Sequence, residues 1–316
     1  MGAICSRHSL SFDVEEHFQV SGFESPMRRR HWEQFESRVE LNTERLLSLL
    51  SKNGARATFF ILGWVAERYP SLVRRIASAN HEIASHGYGH ELITSQTPTA
   101  FREDIRKAKD ILENILSQPV LGYRAPSFSI TKDTMWAPQI LAEEGFIYDS
   151  SIFPILHDRY GVPSANPKAH QLSTPSGLLW EVPPSTVKYW GMRLPVAGGG
   201  YFRLYPYAIL RTLLRKLEAE GSPLVMYMHP WEFDPDQPKM EGPWVSRKRH
   251  YLNLAKTEGR MQLLLKDFSF GPIREVFSPI HLLYRERLSS WPIAEEVTSS
   301  TMTSTAAREG SSREGR

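Results

Sequence analysis

The chain has 316 residues, 41% of them hydrophobic, enough to bury a large core in one sizeable domain with appendages. Its 38 basic and 35 acidic residues leave a formal charge of +3, a balance that gives no reason to expect nucleic acid, a membrane surface or another polyanion as a partner. One cysteine, Cys5, excludes an internal disulfide and fits a reducing compartment.

Met1 to Ser9 lacks an apolar signal region, and no segment is long and apolar enough to be a transmembrane helix. The expectation is a cytoplasmic protein, with association to a membrane-bound assembly system as a variant of it. The stretch Ser9 to Phe18 then alternates apolar and polar residues and suits a strand end. In extended backbone, residues two apart share a face, so Asp13 and Glu15 point one way and Phe12 and Val14 the other. Two carboxylates on one face either hold a cation or a proton between them, or form a solvated strand edge.

Apolar spacing predicts a helix over Trp32–Leu50, ended by Asn53-Gly54. The run Ala57–Gly63 reads as a strand covered on both faces. A helix over Ser71–Ala79 and a short strand at His81–Ala84 follow, leading into Ser85-His86-Gly87-Tyr88-Gly89-His90. Two imidazoles four residues apart form a ready ligand pair for a borderline-soft cation, and the two glycines favour a turn there over regular helix. Alone, such a pair is as easily chance as chemistry in a chain with 11 histidines.

Further helices are predicted over Thr99–Leu116 and Lys132–Glu144, with strands at Val120–Tyr123, ending in Arg124, and around Phe146–Ser151, which holds Asp149. Residues 152–200 lose periodicity and gain Pro, Gly and Ser, reading as a looped excursion with one strand, Leu178–Val182. Gly198-Gly199-Gly200 lacks the Lys-Ser/Thr of a phosphate loop, so close backbone approach is the better use of those glycines. After a helix at Tyr207–Glu220 comes a buried strand, Leu224–Met228, ending in His229-Pro230-Trp231-Glu232. A histidine there suits acid/base work or merely caps the strand. A last helix is read over Arg249–Phe268, and residues 298–316 have almost nothing to bury and read as a disordered tail.

Strands and helices alternating with short connections argue for parallel βα units in a barrel-like α/β fold. The polar candidates Asp13, Glu15, His86, His90, Arg124 and Asp149 all fall where strands end, the rim on which such folds build active sites.

The ordered set Ser11-Phe12-Asp13-Val14-Glu15, Ser85 to His90, Arg124-Ala125-Pro126-Ser127 and Met228-His229 resembles the motifs of NodB-type polysaccharide deacetylases, carbohydrate esterase family 4. The segments Asp13–Phe18, Tyr148–Pro154 and Arg249–Leu254 are similar to the branch found with exosortase-linked exopolysaccharide loci.

The resemblance implies a distorted (β/α) barrel of fewer than eight strands and hydrolysis of N-acetyl groups on hexosamine units of a polysaccharide, aided by a divalent metal, zinc or cobalt. By the same resemblance His86, His90 and Glu15 hold the metal, Asp13 is the general base, His229 the general acid, and Arg124 orients Asp13. Ser127 serves the oxyanion, with Asp149 and Trp231 as supporting substrate contacts. The first motif departs from the family at Val14, where most members carry the metal-binding aspartate; Glu15 is the replacement on the Asp13 face, and Glu16 the second candidate. The implied organisation is a deacetylase domain over 1–276, with an insertion at 152–200 and a family-specific part at 230–276, then an extension at 277–297. A glycoside hydrolase pairing Asp13 with Glu181 or Glu232, and a silent sugar-binding module, are the competing readings.

Overall fold

The computed structural model describes residues 7–23, 25–157 and 160–291; the tail read at 298–316 lies outside them. Eight strands form one path: β1 (His8–Val14), β2 (Thr58–Ile61), β3 (Glu82–Ser85), β4 (Gly122–Tyr123), β5 (Tyr148–Asp149), β6 (His170–Thr174), β7 (Gly177–Glu181) and, after the hairpin of β8 (Thr186–Tyr189) and β9 (Met192–Pro195), β10 (Val225–Met228). The order is β10-β1-β2-β3-β4-β5-β7-β6, and a short β11 (Phe270–Gly271) pairs the start of β1. All pairs in this sheet are parallel except β6 with β7.

Among the described residues the hydrogen-bonded path stays open, so the barrel expected from sequence is not closed by strand pairing. Instead Ser185, just past β7, spans the gap to β10: its N–H donates to the Val225 carbonyl and its hydroxyl accepts from the Val225 N–H at 2.8 Å. Pro183 and Pro184 stand before it, and proline cannot donate to a ladder, which limits pairing at that seam to single bonds.

β1 is buried along its whole length, as expected for a strand with parallel neighbours on both sides. Its register puts Phe12 beside Phe59 and Asp13 beside Phe60. Phe12 and Phe59 join the main core under the helices, whereas Phe60 and Ala84 join a smaller cluster with Leu121, Tyr148, Val182 and Val225 on the opposite face. Ile273 and Ile280 close that second cluster, so the helix Ser278–Ser289 packs onto the sheet rather than trailing from it.

Several helices are shorter than their periodicity predicts. The helix expected over 32–50 begins at Val39 and runs to Lys52, with a separate 3-10 turn at Trp32–Gln34, because Phe35 is extended and breaks the run. The helix expected over 132–144 starts as a 3-10 turn and becomes α-helical only at Ala137. The one expected over 249–268 divides into Trp244–Tyr251 and Thr257–Asp267, separated by left-handed Asn253. Residues 152–200 hold two β-hairpins rather than one strand, since β6 and β8–β9 alternate in burial too weakly to stand out.

Candidate metal centre and catalytic cavity

Asp13, at the end of β1, and Glu15, just beyond it, line one cavity of about 140 Å³ with His86, His90, Ser127 and His229. They share it because extended backbone carries side chains two apart to one side.

The imidazole pair, His86 and His90, is delivered by a loop whose shape is set by Gly87 and by Asp104. Gly87 is at φ +73°, and a Cβ there would come 2.7 Å from Asp104 Oδ2. With the space open, the Asp104 carboxylate accepts the N–H of Tyr88 at 2.8 Å and of Gly89 at 2.9 Å. The loop is thereby pinned to the helix Pro98–Leu116, and His90 sits in a left-handed conformation at φ 50°. No sequence signal singles out Asp104, which looks like any exposed helical acid.

Glu15 Oε2 lies 2.5 Å from His90 Nε2 and 3.8 Å from His86 Nε2. One ligand atom from each of the three falls within 4.8 Å of the others, and all three side chains are buried. The donor chemistry suits a cation. His86 Nδ1 lies 2.8 Å from the Arg124 carbonyl, so it donates there and leaves Nε2 with its lone pair toward the cluster. Glu15 Oε1 accepts from Trp231 Nε1 at 3.1 Å, while Oε2 is buried and faces the two imidazoles. An anionic oxygen shielded from water and aimed between two imidazoles is stabilised by a metal ion. Burial pushes the Glu15 carboxyl up, but the facing His90 and His229 reverse this and hold it well below the usual range. Glu16, the second candidate, is turned away: its carboxylate takes the Ser37 hydroxyl and the Arg38 N–H.

Arg124 is fully buried beneath the cavity. Its Nη1 donates to Asp13 Oδ1 at 2.7 Å and to Ser11 at 2.8 Å, and its Nε and Nη2 donate to Ser150. Its guanidinium also lies over the Phe60 ring, 4.1 Å from the centroid. Asp13 Oδ1 is thus fixed, and Oδ2 is 3.9 Å from His229 Nε2.

His229 is held from behind. Its Nδ1 lies 2.7 Å from Glu232 Oε1, and Glu232 Oε2 accepts from Arg203 Nε at 2.7 Å. The three-residue spacing follows from the 3-10 turn Pro230–Phe233. Burial lowers the His229 pKa, but Glu15, Glu232 and Asp13 together carry it above the usual histidine value. The Gly198-Gly199-Gly200 run makes room for this arrangement, since a Cβ on Gly199 would sit 1.7 Å from Glu232 Oε2.

Ser127 and Phe128 both adopt left-handed φ, 51° and 53°, which brings Ser127 to the wall, its hydroxyl 2.5 Å from that of Ser21. Two such residues in a row cost about 1 kcal/mol or more each, strain of a kind that collects at functional sites.

Neither expected supporting contact offers a free surface to substrate. Asp149 does not line the cavity; it is buried beside Glu181, accepts from Ser151, and burial raises it to about 6. Trp231 lines the cavity, yet its ring is stacked between His229 and His250 at 5.0 and 4.2 Å, so neither face is open to a sugar. Tyr189 and Trp190 occupy the exposed tip of the β8–β9 hairpin, and Phe202 is buried. Phe128, Tyr160 and Tyr227 line the cavity beside Trp231. Glu181 faces Asp149 and Glu232 serves His229, so neither is paired with Asp13 across the cavity as glycoside hydrolysis requires.

Residues 29–143 match the family described as polysaccharide deacetylase. The matched segment is similar to the polysaccharide deacetylases. It holds His86, His90, Arg124 and Ser127, while His229 and Glu232 fall in residues 150–278, which match a domain of unknown function, DUF3473. Curated relatives include a peptidoglycan-N-acetylglucosamine deacetylase of Bacillus cereus, 32% identical over 31% of this chain and 36% of that protein. A peptidoglycan deacetylase of Helicobacter pylori is 29% identical over 36% of this chain and 38% of its own length. A peptidoglycan deacetylase-like protein of Gibberella zeae is 34% identical over 34% of this chain and 32% of that protein. The alignments thus span about a third of these deacetylases. Two solved structures share the α/β fold at a TM-score of 0.55: a Mycobacterium smegmatis chain assigned to the polysaccharide deacetylases, 21% identical, covering 92% of this chain and 93% of that one, and Puue allantoinase, 17% identical, covering 85% and 88%.

Proposed function

We propose that the protein is a metal-dependent hydrolase that removes N-acetyl groups from N-acetylhexosamine units of a polysaccharide or its precursor. The observation that carries this reading is one cavity in which the Glu15/His86/His90 set meets a carboxylate held by Arg124 and an imidazole held by Glu232. A divalent cation on those three residues, with zinc the best match to two imidazoles and a carboxylate, would polarise the acetyl carbonyl and lower the pKa of water.

The protein's own groups supply the proton transfers. With Oδ1 tied to Arg124, Asp13 presents Oδ2 to the cavity as the base that takes the water proton. The Ser127 N–H is the candidate donor to the developing oxyanion. His229, its Nδ1–H spent on Glu232, presents Nε2 and returns a proton to the departing amine. The wording of Tyr148–Pro154 and Arg249–Leu254 supports an exopolysaccharide or its precursor as the polymer, and the Ser185 bridge supports a distorted barrel left open at one seam.

The test is acetate release from a panel of N-acetylhexosamine oligomers by the purified protein with zinc or cobalt. Acetate release abolished by chelation is the expected result. Reducing sugar formed in place of acetate would overturn it in favour of glycoside hydrolysis.

A further inference from the structure

The tip of the β8–β9 hairpin is built against the needs of folding. Tyr189 and Met192 are its last cross-strand pair, and Trp190-Gly191 is the two-residue turn that joins them. Both turn residues have positive φ, 46° at Trp190 and 82° at Gly191, a backbone that Asn-Gly or Asp-Gly fills easily and a bulky side chain strains. Trp190 gains little burial in return, being 88% exposed, and Met192 is 65% exposed. Its one aromatic neighbour is Tyr189, itself exposed, whose ring stacks on the indole with centroids 5.8 Å apart. The base of the hairpin, by contrast, is rooted in the main core through Val187 and Val196.

Charge beside the tip is equally costly to the fold. Residues 182–217 hold six Lys and Arg and no Asp or Glu, a local excess hidden in the balanced total. Three of the six meet carboxylates from elsewhere: Arg203 pairs with Glu232, Arg211 with Asp267 and Arg215 with Glu218. The other three gather at the hairpin. Lys188 and Arg193 are direct cross-strand partners one residue behind the tip, where like charges repel. Exposed Lys216 reaches over from the helix Tyr207–Ala219 and donates to the Lys188 carbonyl at 3.2 Å. None of these three forms an ion pair among the described residues.

We propose that this hairpin docks the protein on the anionic surface of a lipid bilayer, with Trp190, Tyr189 and Met192 seated at headgroup level and Lys188, Arg193 and Lys216 against lipid phosphates. Indole and phenol rings settle at that level because one end is apolar and the other polar. One residue back is about 3.4 Å along a strand, which leaves the cationic heads among the headgroups while their stems lie along apolar surface. A protein partner fits less well. A stable interface covers about 800 Å² on each side, and two rings of about 150–250 Å² each with one methionine, at the end of a two-stranded ribbon, supply less. The docking surface stands whether or not the deacetylase reading does.

The test is co-sedimentation of the full chain with vesicles of phosphatidylcholine alone and of equimolar phosphatidylcholine and phosphatidylglycerol. Binding at least about tenfold tighter to the mixed vesicles is expected, with the preference shrinking as salt rises. Trp190→Asn should weaken that binding about tenfold or more, and its melting temperature should hold or rise, because asparagine suits the turn. Lys188→Gln/Arg193→Gln should remove the preference for the mixed vesicles. Equal binding to both vesicles, or parent-like binding of Trp190→Asn to the mixed ones, would overturn the proposal. A chain that binds neither vesicle but self-associates, and that Trp190→Asn returns to monomer, would assign the tip to a second copy instead and overturn it as well.

Discussion

Arg124 Nη1 and Asp13 Oδ1 meet at 2.7 Å beneath the cavity, and the guanidinium spends its remaining donors on Ser11 and Ser150. The pair is fully desolvated, so removing one partner strands the other. Arg124→Leu should cost about 3–5 kcal/mol of stability and lose turnover with it. Asp13→Asn keeps the packing and should lower the rate of acetate release by about 10²–10⁴ while metal content stays intact. Melting curves and metal analysis on the two variants separate the effects, and an undiminished rate in Asp13→Asn would remove the base assignment.

His86→Ala and His90→Ala should each abolish stoichiometric metal binding, because two remaining ligands cannot hold a catalytic ion of this class. Glu15→Gln keeps the hydrogen bond from Trp231 but removes the anionic charge, so weaker binding rather than none is expected. Elemental analysis after dialysis reads all three, and full occupancy in either alanine variant would contradict the ligand set.

Gly199→Ala probes the support behind His229. The added methyl would fall 1.7 Å from the Glu232 carboxylate, which Arg203 and His229 hold in place, whereas a methyl on Gly200 meets nothing within 4 Å. Overpacking of this kind costs about 1–3 kcal/mol. Gly199→Ala should lower kcat with metal content unchanged, and Gly200→Ala should behave as the parent. Equal kcat in both variants would show that His229 does not depend on Glu232.

Acid stability should carry the mark of His81. Burial lowers its pKa to about 4, and its Nδ1 accepts the Ala57 N–H at 3.2 Å, a bond that only the neutral ring can accept. The unfolded chain binds a proton near pH 6.5 that the folded chain refuses until about 4, so stability falls as pH drops through that window, by about 3 kcal/mol at most. His17, also lowered to about 4 by burial, acts in the same direction. Asp149, raised to about 6 by burial, acts in the opposite one. His81→Gln should therefore flatten the fall in denaturation midpoint between pH 6.5 and 4 relative to the parent. An unchanged slope would show that His81 titrates normally in the folded state.

The β-strands that carry chemistry were legible because fully buried parallel strands are short continuous apolar runs, as Thr58–Ile61 and Val225–Met228 are. Asp13 and Glu15 could be put on one face from the two-residue period alone. The hairpins within 152–200 were not legible, since their stability comes from partners rather than from their own pattern.

Sequence by itself determined the α/β alternation and the polar groups at strand ends, because local periodicity and spacing are properties of neighbouring residues. Only the tertiary structure decided that Glu232 and Arg203 stand behind His229, that Asp104 pins the histidine loop, that Glu16 faces away, and that Trp231 is covered on both faces. Those contacts mostly join residues distant along the chain, and an isolated Glu, Asp or Arg carries no mark of the partner that packing will bring to it.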